Sequence, residues 1–402
     1  VLKVLFFSHP FPLPMDSGGK IRTGQLLRHL SRRFDITLVS TTDGHRDAAH
    51  APGLPELCRR FHGVPQRAPR RGSAAFYLRV LRLALSRYPV TVAGDTSPAL
   101  RATIDRLLGE ERYDLMVCDF LQPSLNVLGL RRCPRLLFQH NVESVIVRRH
   151  YETATHPLVR LFWRQQWQKM ARYEREACRE FDGVVTVSEV DRRILEREFG
   201  ARRVWAIPTG VDTEHFRPSR DPVEENTLIF TGAMDWLPNE DAILYFATEI
   251  LEPLRALVPG VRLTVVGRNP SRRLVDRLAG RPEIQVIGRV EDVRPHVARH
   301  AVFVIPLRVG GGTRIKVFEA MAMGKAVVST RIGVEGLPVR DGEHVVLADR
   351  PADFAAATAR LLKDSTDREA LGRRARRYVE RHASWSRAAD VFAEACLAIA
   401  GR

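Results

Sequence analysis

Cysteine is scarce and unpatterned. The five cysteines in 402 residues, Cys58, Cys118, Cys133, Cys178 and Cys396, are scattered and form no Cys-x-x-Cys pair. This argues against a disulfide framework or a redox motif and leaves reduced, mostly buried thiols in a cytosolic protein as the expectation. No zinc-ligand constellation is visible in the sequence. Long apolar runs are missing too: none approaches the roughly 18 residues of a membrane-spanning helix. The N-terminal VLKVLFF runs into His9 and Pro10, is too short for a signal segment, and reads as a first strand. The expected location is therefore cytoplasmic, at most at the inner face of a membrane. No repeat with a period of about 20–50 residues occurs. Zinc-finger, RNP, KH and basic-zipper patterns are absent and the arginines are dispersed, so nucleic acid is not an expected partner.

What is present is a basic α/β pattern. The net charge of +16 is uneven: residues 1–208 carry 34 Lys and Arg against 21 Asp and Glu, and residues 209–402 carry 29 against 26. The first half therefore meets something acidic or simply has a very basic surface. The chain is long enough for two or three domains.

The most informative stretch is Ala301–Gly336. The spacing predicts a strand at Ala301–Ile305, a turn at Gly310, Gly311 and Gly312, a helix over Arg314–Met323 stopped by Gly324, and a strand at Ala326–Ser329. Glycines let backbone N–H groups approach a ligand, and Thr313 is a good N-cap. A helix start favours anions, yet its first turn here holds Arg314 and Lys316. Those cations suit a bound diphosphate. Glu319 follows Lys316 by three residues on the same face and suits ribose hydroxyls. The same residues also fit an ordinary αβ turn with a solvated Arg and Lys.

A second glycine-and-cation site reads at Gly18-Gly19, with Lys20 and Arg22 at the start of a helix running over Gln25–Arg33. It sits at the carboxyl end of the first strand, where open α/β sheets bind ligands. Further strands read at Ile36–Ser40 and Tyr113–Cys118, the latter ending at Asp119. Another at Arg135–Phe138 delivers Gln139, His140 and Asn141 to the same edge, with Glu143 following. Residues 44–110 are less regular. Ala75–Arg87 reads as a helix of interleaved apolar residues and arginines. Such a helix can lie on an anionic membrane, but packing of one face on the core is the favoured expectation. Pro157–Glu180 reads as a long helix whose aromatics pack. Further strands follow at Asp182–Ser188 and Val204–Ile207. Pro208–Asp212 reads as a boundary, after which six more strands are expected, at Thr227–Thr231, Val261–Val266, Ile284–Ile287, Ala301–Ile305, Ala326–Ser329 and His344–Leu347. Two successive α/β halves imply two Rossmann-like domains facing across a cleft.

In order, the motifs SGGKIR, QHNVES, VVTVSEVDR, IPTGVDTEHFRP, TGAMDWLPNED, VVGRNP, VIGRVEDV and PLRVGGGTRIKVFEAMAMGKAVVST resemble the GT-B glycosyltransferases of family 4, the retaining group 1 transferases. The resemblance covers nearly the whole chain. Its specific parts are the boundary motif and FEAMAMGKAVVST. It implies an acceptor domain at residues 1–208, a nucleotide-sugar domain at 209–383, and a tail helix at 384–402 crossing back to the first domain. It implies that Glu319 holds the donor ribose and that backbone groups at Gly312, Thr313, Arg314 and Ile315 meet the diphosphate and sugar. His140 would lie near the reacting centre, and Gly18 and Gly19 would close over the donor. His140 and Glu319 are thus the candidate catalytic residues. Gly232, Arg268, Gly311 and Lys316 complete the expected donor set. Arg22, Asp119, Asn141 and Glu143 form the expected acceptor set.

Two departures stand out. Many members have Glu-x7-Glu ending at the place of Glu319, and the first position here is Gly311. Many also have an Arg and, six residues on, a Lys after the first strand of the second domain; here Ala233 and Asn239 occupy those places. Arg314 and Lys316 are the expected replacements for that phosphate clamp, with Arg268 a weaker one. No Asp-x-Asp occurs, so transfer without a metal or other cofactor is expected. The expected partners are a nucleotide-sugar donor, a glycan or lipid-linked acceptor and, peripherally, an anionic membrane. The alternatives are a GT-B nucleotide-sugar epimerase and a non-catalytic polyanion- or membrane-surface-binding protein.

Overall fold

A computed structural model describes residues 1–66, 73–309 and 315–401, the side chains of His45 and Arg46 excepted. The chain divides into two compact units, Val1–Pro208 with Trp385–Arg402, and Thr209–Ser384.

The first unit is built on seven parallel strands: β1 (Lys3–Ser8), β2 (Asp35–Thr42), β3 (Arg60–Pro65), β4 (Leu115–Asp119), β5 (Arg135–Phe138), β6 (Gly183–Thr186) and β7 (Val204–Ala206). Their order is β3-β2-β1-β4-β5-β6-β7, so the winding reverses between β1 and β4. Every residue of β4 and β5 is buried, as in a sheet covered on both faces. The strand β3 was not anticipated. Gly63 and Pro65 read as turn residues, and an edge strand with one neighbour tolerates both.

Two helices also differ from expectation. The first runs Gly18–Leu30, beginning at the glycine pair instead of after it. The Ala74–Ala84 helix has no buried residue, which overturns the expectation that one face packs into the core.

The second unit has six parallel strands: β8 (Glu224–Thr231), β9 (Arg262–Val266), β10 (Ile284–Gly288), β11 (His300–Ile305), β12 (Ala326–Ser329) and β13 (Val346–Leu347). Their order is β10-β9-β8-β11-β12-β13, with the reversal between β8 and β11. Both units are Rossmann-like.

The Trp385–Ala400 helix packs in the first unit. Phe392 is fully buried and meets Phe138 edge to face at 5.1 Å. Arg33 bridges to Asp390 at 2.5 Å. A Cβ on Gly183 would come within 2.6 Å of Ile399, so the absent side chain lets this helix approach β6. Phe392→Ala should cost about 3–5 kcal/mol through the cavity it leaves. Hydrogen exchange should then show protection lost first across residues 385–400; unchanged exchange there would refute the packing role.

Candidate active site

In an open α/β sheet, ligands bind outside the carboxyl ends of the strands where the winding reverses. Each unit places a polar cluster at that point.

In the first unit, β1 ends at Ser8 and β4 at Asp119, which are partners in register. Asp119 is fully buried and accepts three hydrogen bonds. The Ser8 hydroxyl donates to Oδ2 at 2.7 Å and the Thr23 hydroxyl to the same oxygen at 2.8 Å. His140, two residues past β5, lies with Nε2 2.7 Å from Oδ1. Its other nitrogen, Nδ1, is 3.3 Å from Arg22 Nη1. An arginine can only donate, so Nδ1 is the acceptor and Nε2 carries the proton that Asp119 accepts. Burial pushes the His140 pKa below its usual value against the pull of Asp119, and the Arg22 charge adds to the downward push. The imidazole is therefore neutral with both nitrogens engaged. Burial lowers Arg22 to about 10, so it stays charged at neutral pH. Its Nε and Nη2 have no hydrogen-bond partner among the described residues.

The ring faces are also covered. Phe120 stacks on His140 at 3.9 Å, and Phe138 leans against it at 4.3 Å. Phe120 holds a left-handed backbone, φ 69°. That conformation costs about 1–3 kcal/mol and clusters at functional sites. A Cβ on Gly19 would lie 2.8 Å from the Phe120 ring, so the glycine makes room for this stack. Lys20 turns to the Leu13 carbonyl at 3.3 Å and to Asp16 at 3.8 Å, and Arg22 turns to His140. Asp119 likewise uses its oxygens within the unit, on Ser8, Thr23 and His140.

Asn141 and Glu143 are half-buried, with Asn141 Nδ2 donating to Glu143 at 3.1 Å. Burial raises the Glu143 pKa, opposed by the Asn141 and Gln122 amides. The Glu143–Thr153 helix begins after Val142, which has no side chain to cap it. Glu174, buried on the Pro157–Glu180 helix, supplies the cap by accepting from the Glu143 and Ser144 N–H groups at 2.9 and 3.1 Å.

In the second unit, β8 runs into Gly232, and the Ile315–Ala322 helix brings Lys316 to it. Lys316 Nζ donates to Asn239 Oδ1 at 2.9 Å and lies 4.1 Å from the centre of the Phe230 ring. Asn239 in turn donates to the Ala233 carbonyl at 2.8 Å. A Cβ on Gly232 would fall 2.7 Å from both Lys316 Nζ and Asn239 Nδ2. At the end of β9, a Cβ on Gly267 would fall 1.7 Å from the Gly232 carbonyl. Two glycines thus let β8, β9 and the lysine converge. Burial pushes the Glu319 carboxyl up to about 7, with Lys316 pulling it down. Arg268 Nε lies 3.8 Å from Asp235. Gly311, Gly312, Thr313 and Arg314, with Gly310, lie outside the described residues; Ile315 opens the helix and is buried.

Sequence reasoning missed Ser8, Thr23, Phe120, Glu174 and Gly267. Ser8 ends a strand and Phe120 follows one at the expected edge, which was the one signal available. Nothing in the sequence points from Glu174 to a helix thirty residues earlier. Among the described residues, no group of three or more His, Cys, Asp or Glu side chains is placed to hold a metal ion, and no helix is long and apolar enough to cross a membrane.

Two parallel, doubly wound units with these reversal points define the GT-B architecture. Residues 17–215 match the Glycosyltransferase Family 4 domain, and residues 225–364 match the Glycosyl transferases group 1 domain. The chain belongs to this glycosyltransferase family. It is 20% identical to an uncharacterized 44.6 kDa protein in the cps region of Klebsiella pneumoniae, over 88% of this chain and 89% of that one. It is 32% identical to the phosphatidyl-myo-inositol mannosyltransferase of Mycobacterium tuberculosis over 188 residues; this match spans 44% of the chain and about half (48%) of that enzyme. The structure of Anabaena HepE in complex with UDP and glucose superimposes with a TM-score of 0.70 at 14% identity, over 98% of this chain and 99% of that one.

Proposed function

We propose that this glycosyltransferase moves a sugar from a nucleotide-diphosphate-sugar to an acidic glycan or lipid-linked acceptor, with retention of configuration and without a metal. The observation that carries the reading is Lys316, whose ammonium reaches Asn239 beside Gly232 at the reversal point of the second sheet. Breaking a sugar–diphosphate bond develops negative charge on the leaving phosphate, and a preorganised cation stabilises that charge. Lys316 thus supplies from the neighbouring helix the charge that Asn239 lacks. Glu319, one turn further on, takes the ribose hydroxyls.

The first unit receives the acceptor. His140 shapes the sugar pocket as a rigid neutral wall held by Asp119 and Arg22. With both its nitrogens engaged it is not the base, which suits same-face attack in which the donor phosphate takes the acceptor proton. The basic first unit favours an acidic acceptor, and a peripheral contact with an anionic membrane fits a lipid-linked one.

The test is a thermal-shift screen with UDP, GDP, ADP and their sugar conjugates, with and without EDTA. A true donor should raise apparent stability by roughly 2.7 kcal/mol at a hundredfold excess over its Kd. The shift should be unchanged by EDTA, and the same donor should support transfer in EDTA. A shift abolished by EDTA would refute metal independence, and no shift with any donor would overturn the transferase reading of this site.

A further inference from the structure

The Ala74–Ala84 helix presents one group of apolar residues outward, while Phe76, Val80 and Leu83 on its other side are half-buried. Tyr77, Leu78, Leu81 and Leu85 are 63%, 67%, 65% and 85% exposed. Its other side is tied down by polar bonds. Arg79 donates to the Gly94 carbonyl at 2.7 Å, and Lys169 of the long helix donates to the Ala84 and Ser86 carbonyls at 2.7 and 2.6 Å. Ser73 caps the start by accepting from Phe76 N–H at 3.2 Å. The helix is therefore anchored with Leu78, Leu81 and Leu85 in water. A second group of exposed apolar residues, Leu158, Val159 and Leu161, opens the long helix that carries Lys169.

The sequence that carries these two helices is strongly basic. Residues 57–94 contain eight arginines and no Asp or Glu, and residues 153–173 contain four cations and no Asp or Glu. Arg82 and Arg87 are exposed among the leucines. We propose that the Ala74–Ala84 helix and the first turn of the Pro157–Glu180 helix dock onto an anionic lipid bilayer. Leucines with flanking arginines match the acyl boundary and the anionic headgroups of such a surface. Arginine stems extend along the apolar layer while their heads reach the phosphates. A second copy of the chain is a poorer occupant, because symmetric pairing would set these arginines against each other. The proposal locates the membrane contact named above but does not depend on the transfer reaction, since vesicle binding is read without turnover.

The experiment is flotation of the full chain with phosphatidylcholine vesicles, with and without phosphatidylglycerol, alongside light scattering for the oligomeric state. The wild type should float with the anionic vesicles and far less with neutral ones. Leu78→Asp with Leu81→Asp should weaken partitioning by at least about tenfold, with the melting temperature unchanged. Leu85→Asp is the backup single variant. Arg82→Glu with Arg87→Glu should remove the preference for anionic lipid. No binding to anionic vesicles, or binding that survives both the aspartate pair and Leu85→Asp, would overturn the proposal. So would a wild-type dimer that the aspartate pair turns into a monomer.

Discussion

Lys316→Ala should lower kcat/KM for the sugar donor by about 10²–10³-fold, the cost of removing one preorganised group from developing transition-state charge. The stability change should be small, since the stem packs over Phe230 in a cation–π contact of about 0.5–2 kcal/mol. The informative partner is Asn239→Lys. Asn239 holds the Lys316 ammonium at 2.9 Å, so a lysine there returns a cation to nearly the same point. In the Lys316→Ala background, Asn239→Lys should restore a substantial part of the lost activity. In the wild-type background it should not help, because two ammonium groups would repel each other.

A pH signature accompanies the loss. Lys316 pulls the Glu319 carboxyl down while burial holds it near 7. Without Lys316 that pKa rises. If ionised Glu319 holds the ribose, donor affinity climbs as pH rises through about 7 in the wild type, and the midpoint moves to higher pH in the variant. Titration calorimetry across this range measures both. Activity within threefold of wild type would rule out Lys316 as the diphosphate cation.

Asp119→Ala should destabilise the first unit by about 3–5 kcal/mol, because it strips a buried charged partner from three donors at once. Ser8, Thr23 and His140 Nε2 would be left facing a cavity. The imidazole would also lose the carboxylate that raises its pKa, so burial and Arg22 would push it lower still. Asp119→Asn keeps the shape and one acceptor. It should cost less stability and leave the proton on Nε2, because Arg22 still donates to Nδ1, and ¹⁵N chemical shifts of the imidazole would report this directly. A denaturation midpoint unmoved in Asp119→Ala would show that the three bonds contribute nothing net.

These two clusters differ in how much of them could be read in advance. Lys316 and Glu319 could be singled out because helix polarity makes a cation in a first turn conspicuous. Arg314 and Lys316 were the expected replacements for the missing clamp; Arg314 lies outside the described residues, and the contact of Lys316 with Asn239 is what the fold adds. Asp119, Arg22 and His140 were all picked out, but their relation was not. Read singly, each looks ready to face a ligand. In the fold they are buried against one another, and Phe120 and Phe138 cover the ring. The Ala74–Ala84 helix went the other way: its periodicity is that of a core helix, yet Leu78 and Leu81 stay in water.

The sequence by itself determined the local elements and their kind. Apolar runs of strand length, separated by helix-length segments, leave a parallel sheet as the arrangement that buries them, and twelve of the thirteen strands among the described residues could be placed on that ground. It also determined which residue types gather at the sheet edges. Only the tertiary structure decided which side chains satisfy one another, which glycines exist for a close approach, and which apolar face stays in water. Those outcomes depend on pairings over long separations, such as Arg22 with His140 or Lys316 with Asn239. A linear pattern records what each residue can do, and packing selects the partner with which it does it.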